Sequence, residues 1–550
     1  MKFKKLSHFI IAGFVIVVFS GFFTGKNDIY FEINKNMDLF SRVYKEITFN
    51  YVDNVDPAEF MKAGIQGMLG SLDPYTIYIG ADKKDEIDLI TNGKYGGVGV
   101  SIGVRGNKVT VVEVLDGYSA QKQGLRIGDH ILEAGGVKIT PENVEEISSL
   151  VKGEPGTTVG LKITRNDDKD TINFNLVREE VIVKSLAFYG FYPENSNNAY
   201  LKLSNFSRSS ADEVRNALKD LKAQKEIKSI VLDLRGNPGG LLDEAVDICD
   251  KFLDKGKLIV LTKGRTPDSE KKYYSVQEPM VGKAKLIVLI NGGSASASEI
   301  VAGAMQDHDR GVILGTKSFG KGLVQTITPL SYNTSLKITT AKYYTPSGRC
   351  IQKIDYSKEN KVITDVDSLI STPFLTDNKR TVYSAGGITP DTTVKYNIQG
   401  DITKELLAKG LFFKFADHYY YSHQDQDFNS ISDDNIFNLF KDYIKEQKFE
   451  YTSEAEKELD KLIQVASSEK VGGKISSELT GLKDQFEGVS SHEINIYKQE
   501  ILREIKEEVA SRYSGTEGKI KIGLNYDKQF QTALNIFKNP ADYDNLLNSR

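Results

Sequence analysis

KAKLIVLINGGSASASEIVAGAMQ, Lys283 to Gln306, passes from an apolar run through two glycines and three alternating serines into a helical pattern. The run from Lys283 to Ile290 is short, apolar and closed by Gly292 and Gly293, which predicts a buried strand followed by a turn. Ile300, Val301, Ala304 and Met305 then recur at helical spacing, so a helix begins at the serines. Strand, glycine turn and helix in succession are the unit of an α/β protein. Among the serines only Ser296 has a Glu three residues on, Glu299, a capping-box pattern that sets Ser296 at the helix start. Two readings of Ser296 follow. It is a helix cap, or it is a nucleophile whose developing oxyanion would meet free N–H groups and the positive end of a helix dipole. The choice turns on a proton acceptor.

Outward from this stretch the same alternation continues. IKSIVLDLRG leads into LLDEAVDICDKFL, and GVILGTKSFGKG is followed by LVQTITPL, so residues 181–396 read as an α/β core. Residues 89–180 have another texture, Gly-punctuated alternating strands (YGGVGVSIGV, KVTVVEVL, DHILEAGGVKI, TVGLKITR, TINFNLVRE) with short helices at Tyr118–Gly124 and Asn143–Val151. Residues 27–88 are amphipathic and helical, interrupted at SLDPYTIYI, where Pro74 forces an extended or turn segment. Residues 397–550 are polar and helical, with strand-like alternation returning only at IKIGLNY near Ile520. The whole is a multidomain α/β and α+β chain.

Composition narrows the function classes. With 40% hydrophobic and 27% charged residues the chain is globular, and a net charge of −4 gives no reason to expect nucleic acid as a partner. Residues 1–26 place Lys2, Lys4 and Lys5 before an apolar run from Phe9 to Phe19, the pattern of an export signal. No A-x-A site follows, so a cleaved signal and a retained inner-membrane anchor both stand, with the anchor favoured. Either way the bulk of the chain is expected outside the cytoplasm, in the periplasm. Cys249 and Cys350 are too few for a disulfide framework, although one bridge between them stays open. There is no CxxC, HExxH or Walker motif, and no metal, phosphate or cofactor site is expected.

The six histidines offer Ser296 no convincing base. His308 follows it by twelve residues, ~18 Å along a continuous helix, and reads as a helix C-terminal residue. His8 lies in the leader, His130 in the β-rich module, and His418, His423 and His492 in the C-terminal region. Lysine is the alternative, since a desolvated amine can act as a base. GTKSFGKGLVQ offers Lys317 and Lys321; Lys321 sits between Gly320 and Gly322, where the backbone can bend tightly against a neighbour. Gln325, four residues on, could hold the amine without adding charge. On the segment alone a solvated lysine is the better reading.

Taken together, SASASE, SFGKGLVQ, VLDLRGNPGG and the GGVGV module, in this order-specific set, resemble the carboxyl-terminal processing peptidases, or tail-specific proteases, over roughly Asn27 to Asp391. The resemblance implies a crotonase-like protease core with an inserted PDZ domain. It assigns Ser296 as nucleophile, Lys321 as general base, Gln325 as the residue orienting the lysine, and the N–H groups of Ala297 and Gly240 as oxyanion hole, Gly240 being chosen over Gly239. LDPYT and GGITPD, Gly386 to Asp391, match structural landmarks. In the PDZ-like module, supported by LRIGDHILEAGGVKI, the loop of Gly96, Gly97, Val98, Gly99 and Val100 would capture a peptide C-terminus, with Val98 and Val100 favouring apolar terminal side chains. The implied activity is cofactor-free serine endopeptidase cleavage of proteins chosen by their free C-terminal tails. Two other readings are a catalytically silent exported peptide-binding scaffold and an ester hydrolase using His308. The C-terminal region lies outside the resemblance, and the oligomeric state is not legible.

Overall fold

In the computed structural model Lys285–Ile290 is a strand and Ala297–Asp307 a helix in which every residue is buried, as the opening stretch predicts. The structure describes residues 29–81, 93–165, 170–356, 362–363, 372–384, 386–396, 399–423, 428, 431–469, 473–486 and 489–548. The leader, with Lys2, Lys4, Lys5 and His8, lies outside the described residues. Among those described, no helix is long and apolar enough to cross a membrane. The described residues form two compact units, one of residues 29–79 with 327–330 and 334–338, the other of the remaining described residues.

In the first unit, helices Ile29–Asn50 and Pro57–Gly70 are joined by a short loop. Asp56 caps the second, accepting the N–H groups of Ala58 and Glu59, and Pro57 occupies the first turn, where its missing N–H costs nothing. At LDPYT the Asp73 carboxylate accepts from Tyr75 N–H (2.8 Å) and Thr76 N–H (2.9 Å), turning the chain at Pro74. Strand Ile77–Ile79 then pairs antiparallel with Ser335–Lys337.

The second unit contains three bodies of structure. Val100–Arg105, Lys108–Val114, His130–Ala134, Thr158–Arg165 and Asp170–Val177 make one antiparallel sheet in that order, with Val100–Arg105 at its edge. Helix Val144–Val151 packs on it through Ile147, and Val98, Val111, Ile131, Leu161, Ile163 and Leu176 fill the core. A two-stranded ribbon, Lys94–Gly97 against Glu179–Ile182, carries the chain in and out.

The mostly parallel sheet runs Leu186–Phe191, Asn198–Leu203, Ser229–Asp233, Lys285–Ile290, Val312–Gly315 and Thr392–Thr393, antiparallel at the first pair and parallel thereafter. Its strands are apolar on both faces, as parallel strands covered on both sides must be. One face, with Ile230, Leu232, Leu286 and Val288, packs helices Ser210–Gln224, Leu242–Cys249 and Ala297–Asp307. The other, with Tyr200, Val231, Ile287, Leu289, Val312 and Leu314, is covered by Leu524, Phe530, Ala533, Leu534 and Tyr543 from the C-terminal region.

The described secondary-structure elements of that region are helices, around a core that includes Phe412, Phe415, Phe440, Ile501 and Ile505. Two local expectations fail. IKIGLNY is not a strand but the end of helix Lys498–Tyr526, where Leu524 is buried against the sheet. LVQTITPL, placed where the alternation would call for a helix, is instead strand Leu323–Pro329, paired to Ser335–Tyr344. Cys249 is buried and Cys350 half-buried, and both are free thiols, so no bridge joins them.

Candidate active site

The alternating serines divide by burial. Ser294 and Ser298 are fully buried, the first donating to Leu234 O and the second to Asn237 O, both at 2.9 Å. Ser296 is the partly exposed one. Its backbone has φ 55° and ψ −113°, a strained conformation for a residue with a side chain and one suited to holding the hydroxyl out at a strand–helix turn. Ser296 N–H donates to Glu299 Oε2 (2.9 Å), and Glu299 N–H to the Ser296 carbonyl (2.8 Å). The bonding of the first turn thus runs largely through these groups.

Beside Ser296 lies the Gly236–Gly240 loop. A β-carbon on Gly239, which has φ +98°, would sit 2.9 Å from Ser296 Cβ and 3.0 Å from Ala297 N, so only glycine permits this approach. Asn237 ties the two turns together: its side chain accepts Gly239 N–H (2.9 Å) and donates to Leu203 O (2.9 Å), and its carbonyl accepts Ala295 N–H (3.0 Å). Phe206 N–H bonds Gly239 O and Leu241 N–H bonds Phe206 O, a parallel bridge that turns the N–H of Gly240 away from Phe206. Gly239 N–H is therefore committed, while among the described residues those of Gly240 and Ala297 donate to no protein acceptor.

Lys321 arrives from another part of the chain, and two buried side chains fasten it. The Glu299 carboxylate accepts four donors: Ser318 Oγ (2.5 Å), Gly320 N–H (2.7 Å), Lys321 N–H (2.9 Å) and Ser296 N–H. The Tyr343 hydroxyl lies 3.1 Å from Ser296 O and 2.5 Å from Lys321 O. Each thus spans the backbones of Ser296 and Lys321. The glycines flanking Lys321 are closely packed, since a β-carbon on Gly320 would meet Lys353 Cβ at 2.8 Å and one on Gly322 would meet Gln352 N at 2.9 Å. Burial pushes the Glu299 carboxyl up from the ordinary 4.5 to about 7, against the four donors, which favour its charged form. Burial, with Glu299 nearby, raises the Tyr343 phenol well above its usual value.

The other sequence-derived residues fall as follows. Gln325 lies on the strand leading away from Lys321, its amide donating to Thr339 Oγ1 at 3.3 Å. His308 caps the far end of the Ser296 helix and is bound to Asp377 Oδ2 (3.0 Å) and Leu258 O (2.7 Å), which removes it from the serine. In the β-rich module Gly96 and Gly97 pair with Glu180 and Glu179, Gly99 has φ +81°, and Val100 opens the edge strand half-buried. The Val98 side chain is 1% exposed and belongs to the module's core. The sequence reading gave Glu299 only a capping role and passed over Asn237 and Tyr343. Asn237 stood inside the quoted RGNPGG; Tyr343 carried no local signal.

A strained serine on a strand–turn–helix, two unengaged N–H groups and a lysine segment fastened to the same backbone make up the candidate site, and the likeness to known proteins gives the class of the chain. Residues 197–366 match peptidase family S41, residues 96–176 a PDZ domain, residues 23–83 the activating protease CtpB N-terminal domain, and residues 402–537 the C-terminal helical domain of a probable PDZ-protease. The carboxy-terminal-processing protease of Bartonella bacilliformis is 39% identical over 323 residues, 58% of this chain and 73% of its own length. The carboxy-terminal processing protease CtpB of Bacillus subtilis is 29% identical over 386 residues, 70% of this chain and 76% of its own. A solved photosystem II D1 C-terminal processing protease aligns over 65% of this chain and 92% of its own at 24% identity, with a TM-score of 0.35. This chain belongs to the carboxy-terminal-processing protease family, and it is a serine peptidase with a PDZ domain, acting on protein or peptide substrates.

Proposed function

We propose that this chain is an exported endopeptidase in which Ser296 attacks a peptide carbonyl, Lys321 takes the hydroxyl proton, Gln325 orients the lysine, and the N–H groups of Ala297 and Gly240 hold the oxyanion. The observation that carries this reading is the double bridge of Glu299 and Tyr343 between Ser296 and Lys321, which fixes two sequence-distant segments in one site. An acyl-enzyme forms as the leaving amine departs, and water hydrolyses it. A lysine base works only when neutral, so turnover rises with pH. The decisive comparison is Lys321→Ala against His308→Ala: the first abolishes peptide cleavage by folded protein, the second leaves it largely intact. The reverse order disposes of the lysine.

Substrate choice falls in this reading to the PDZ domain. Val100–Arg105 is an edge strand, able to accept a peptide as an added strand, with helix Val144–Val151 packed on the same sheet and the Gly97–Val100 turn at its start. Peptides ending in a free carboxylate after an apolar residue are then cut faster than their amidated twins. Equal rates remove the tail-recognition part alone. The lysine-flanked leader supports export, with protease added outside intact spheroplasts expected to reach the catalytic core.

A further inference from the structure

The C-terminal helices do more than cover a sheet. At the end of strand Ser229–Asp233, immediately before the Gly236–Gly240 loop, Arg235 is nearly buried and held on every side. Its Nε donates to Asp233 Oδ1 (2.9 Å) and its Nη2 to Asp233 Oδ2 (2.5 Å). The Arg235 carbonyl accepts the Lys202 amine (2.8 Å). The remaining guanidinium contacts come from much later in the chain: Asp527 Oδ2 at 2.6 Å from Nη2, Gln529 Oε1 at 2.9 Å from Nη1, and Tyr396 OH at 3.0 Å. Asp527 is at the same time the N-cap of helix Lys528–Lys538, its Oδ1 accepting the N–H groups of Gln529 and Phe530. Gln529 is fully buried and its amide also donates to Val394 O (2.6 Å). The cap carboxylate thus divides its two oxygens between its own helix and Arg235. From Arg235 the chain passes through Gly236, whose N–H is held by Asn291 Oδ1 (2.9 Å), and Asn237 to Gly240.

We propose that Asp527 and Gln529 are positioning residues for the protease: they hold Arg235, and through it the loop that presents the Gly240 N–H to the oxyanion. The inference rests on the reading of Gly240 and Ser296 given above. It makes the C-terminal helical region a working part of the catalytic apparatus, complete only when the helix N-terminus is seated against Arg235. A carboxylate that only capped its helix could be replaced by any good cap. A carboxylate that positions Arg235 could be replaced only by a group that also reaches it.

Asp527→Ser keeps a capping oxygen but removes the reach to Arg235, whereas Asp527→Asn keeps both the cap and an acceptor. Gln529→Met keeps volume and removes the acceptor for Nη1. Tyr543→Phe removes a different docking contact of the same region, the hydroxyl bonded to Leu286 N–H (2.9 Å) and Leu286 O (3.1 Å). In the full-length protein, with a short fluorogenic peptide, we expect Asp527→Ser and Gln529→Met to lower kcat about 10-fold, the order of one weakened oxyanion contact, with KM unchanged. Asp527→Asn returns to within about 3-fold of wild type, and Tyr543→Phe lowers the melting temperature without lowering kcat. Wild-type kcat in folded Asp527→Ser or Gln529→Met overturns the proposal. So does an equal kcat loss in Tyr543→Phe, or failure of both test variants to fold, which would make the contact a matter of folding alone. Ser296→Ala in the same series separates the two readings. If it still cleaves, the site assignment fails; if it is dead while Asp527→Ser is unimpaired, only the present inference fails.

Discussion

Glu299 sits between opposing demands. Its carboxylate is fully buried, which favours the neutral acid, yet four donors converge on it, which favours the charged form. With its carboxyl pushed up from 4.5 to about 7, the folded protein holds a proton across a range in which the unfolded chain has lost it. The contribution to stability is therefore present below about pH 4.5 and is lost as pH rises to about 7, a change of about 3 kcal/mol. Glu299→Gln should flatten that part of the melting-temperature profile, and a wild-type slope no steeper than the variant's would count against it. The same substitution sets an NH2 group against two of the donors. It is expected to lower kcat by about 10- to 100-fold, the scale of one charge-assisted hydrogen bond at ~1.5–3 kcal/mol. Ser296 gives a second test at this scale. Its positive φ is strain that alanine keeps and glycine relieves, so Ser296→Gly should melt above Ser296→Ala by about 1 kcal/mol of stability. Identical melting curves would remove the claim of strain. The sequence made Ser296 and Glu299 legible as a pair because they share one helical turn. It hid the rest of the carboxylate's partners, which lie 19 to 22 residues further on and meet it only through tertiary packing.

Elements with one strong period were readable, and those with two were not. Lys285–Ile290 and Ala297–Asp307 announce themselves by an apolar run and by helical spacing, and the glycines between them mark the turn. Ile520, Ile522 and Leu524 also alternate like a strand, but they close a long helix in which Leu524 is buried against the core sheet, so tertiary packing overrides the local alternation. That helix carries a break at Ser514 and Gly515, with Gly515 at φ 57° and ψ −152°, a region nearly closed to residues with a β-carbon. Among the described residues, nothing beyond its own adjoining stretch of chain lies within 4 Å of where its β-carbon would stand, so Gly515→Ala isolates the backbone effect. It is expected to cost about 1–3 kcal/mol by chemical denaturation, and a neutral result would show that the break relaxes freely. Next to the break, Thr516 donates to Glu113 of the PDZ domain at 3.0 Å.

In the second unit, the C-terminal helices touch both of the other bodies. They meet the PDZ domain where Arg105 lies over the Phe413 ring at 5.7 Å and where Gly128 packs against Asp417, itself paired with Arg512 at 2.7 Å. They meet the catalytic core at Arg235 and across the sheet face of Tyr200, Val231, Ile287 and Leu314. The family resemblance read from sequence stopped short of this region, because its helical pattern shows that it has an apolar side and does not show what that side covers. A chain ending after Tyr396 would bare that face, and it is expected to be recovered mainly as aggregate while the full chain stays soluble. Soluble, monodisperse truncated protein would contradict the packing described.

The same covered face has a consequence in time. About 210 residues separate Leu314, which lies in the sheet, from Leu524, which helps to close it. At ~5–20 residues per second, synthesis leaves the apolar surface without its cover for roughly 10–40 s. The sheet can pair early, but its interior is finished late, by helices that must find it from far along the chain. Wherever the chain folds, the apolar face of the sheet stays unfinished until these late helices reach it.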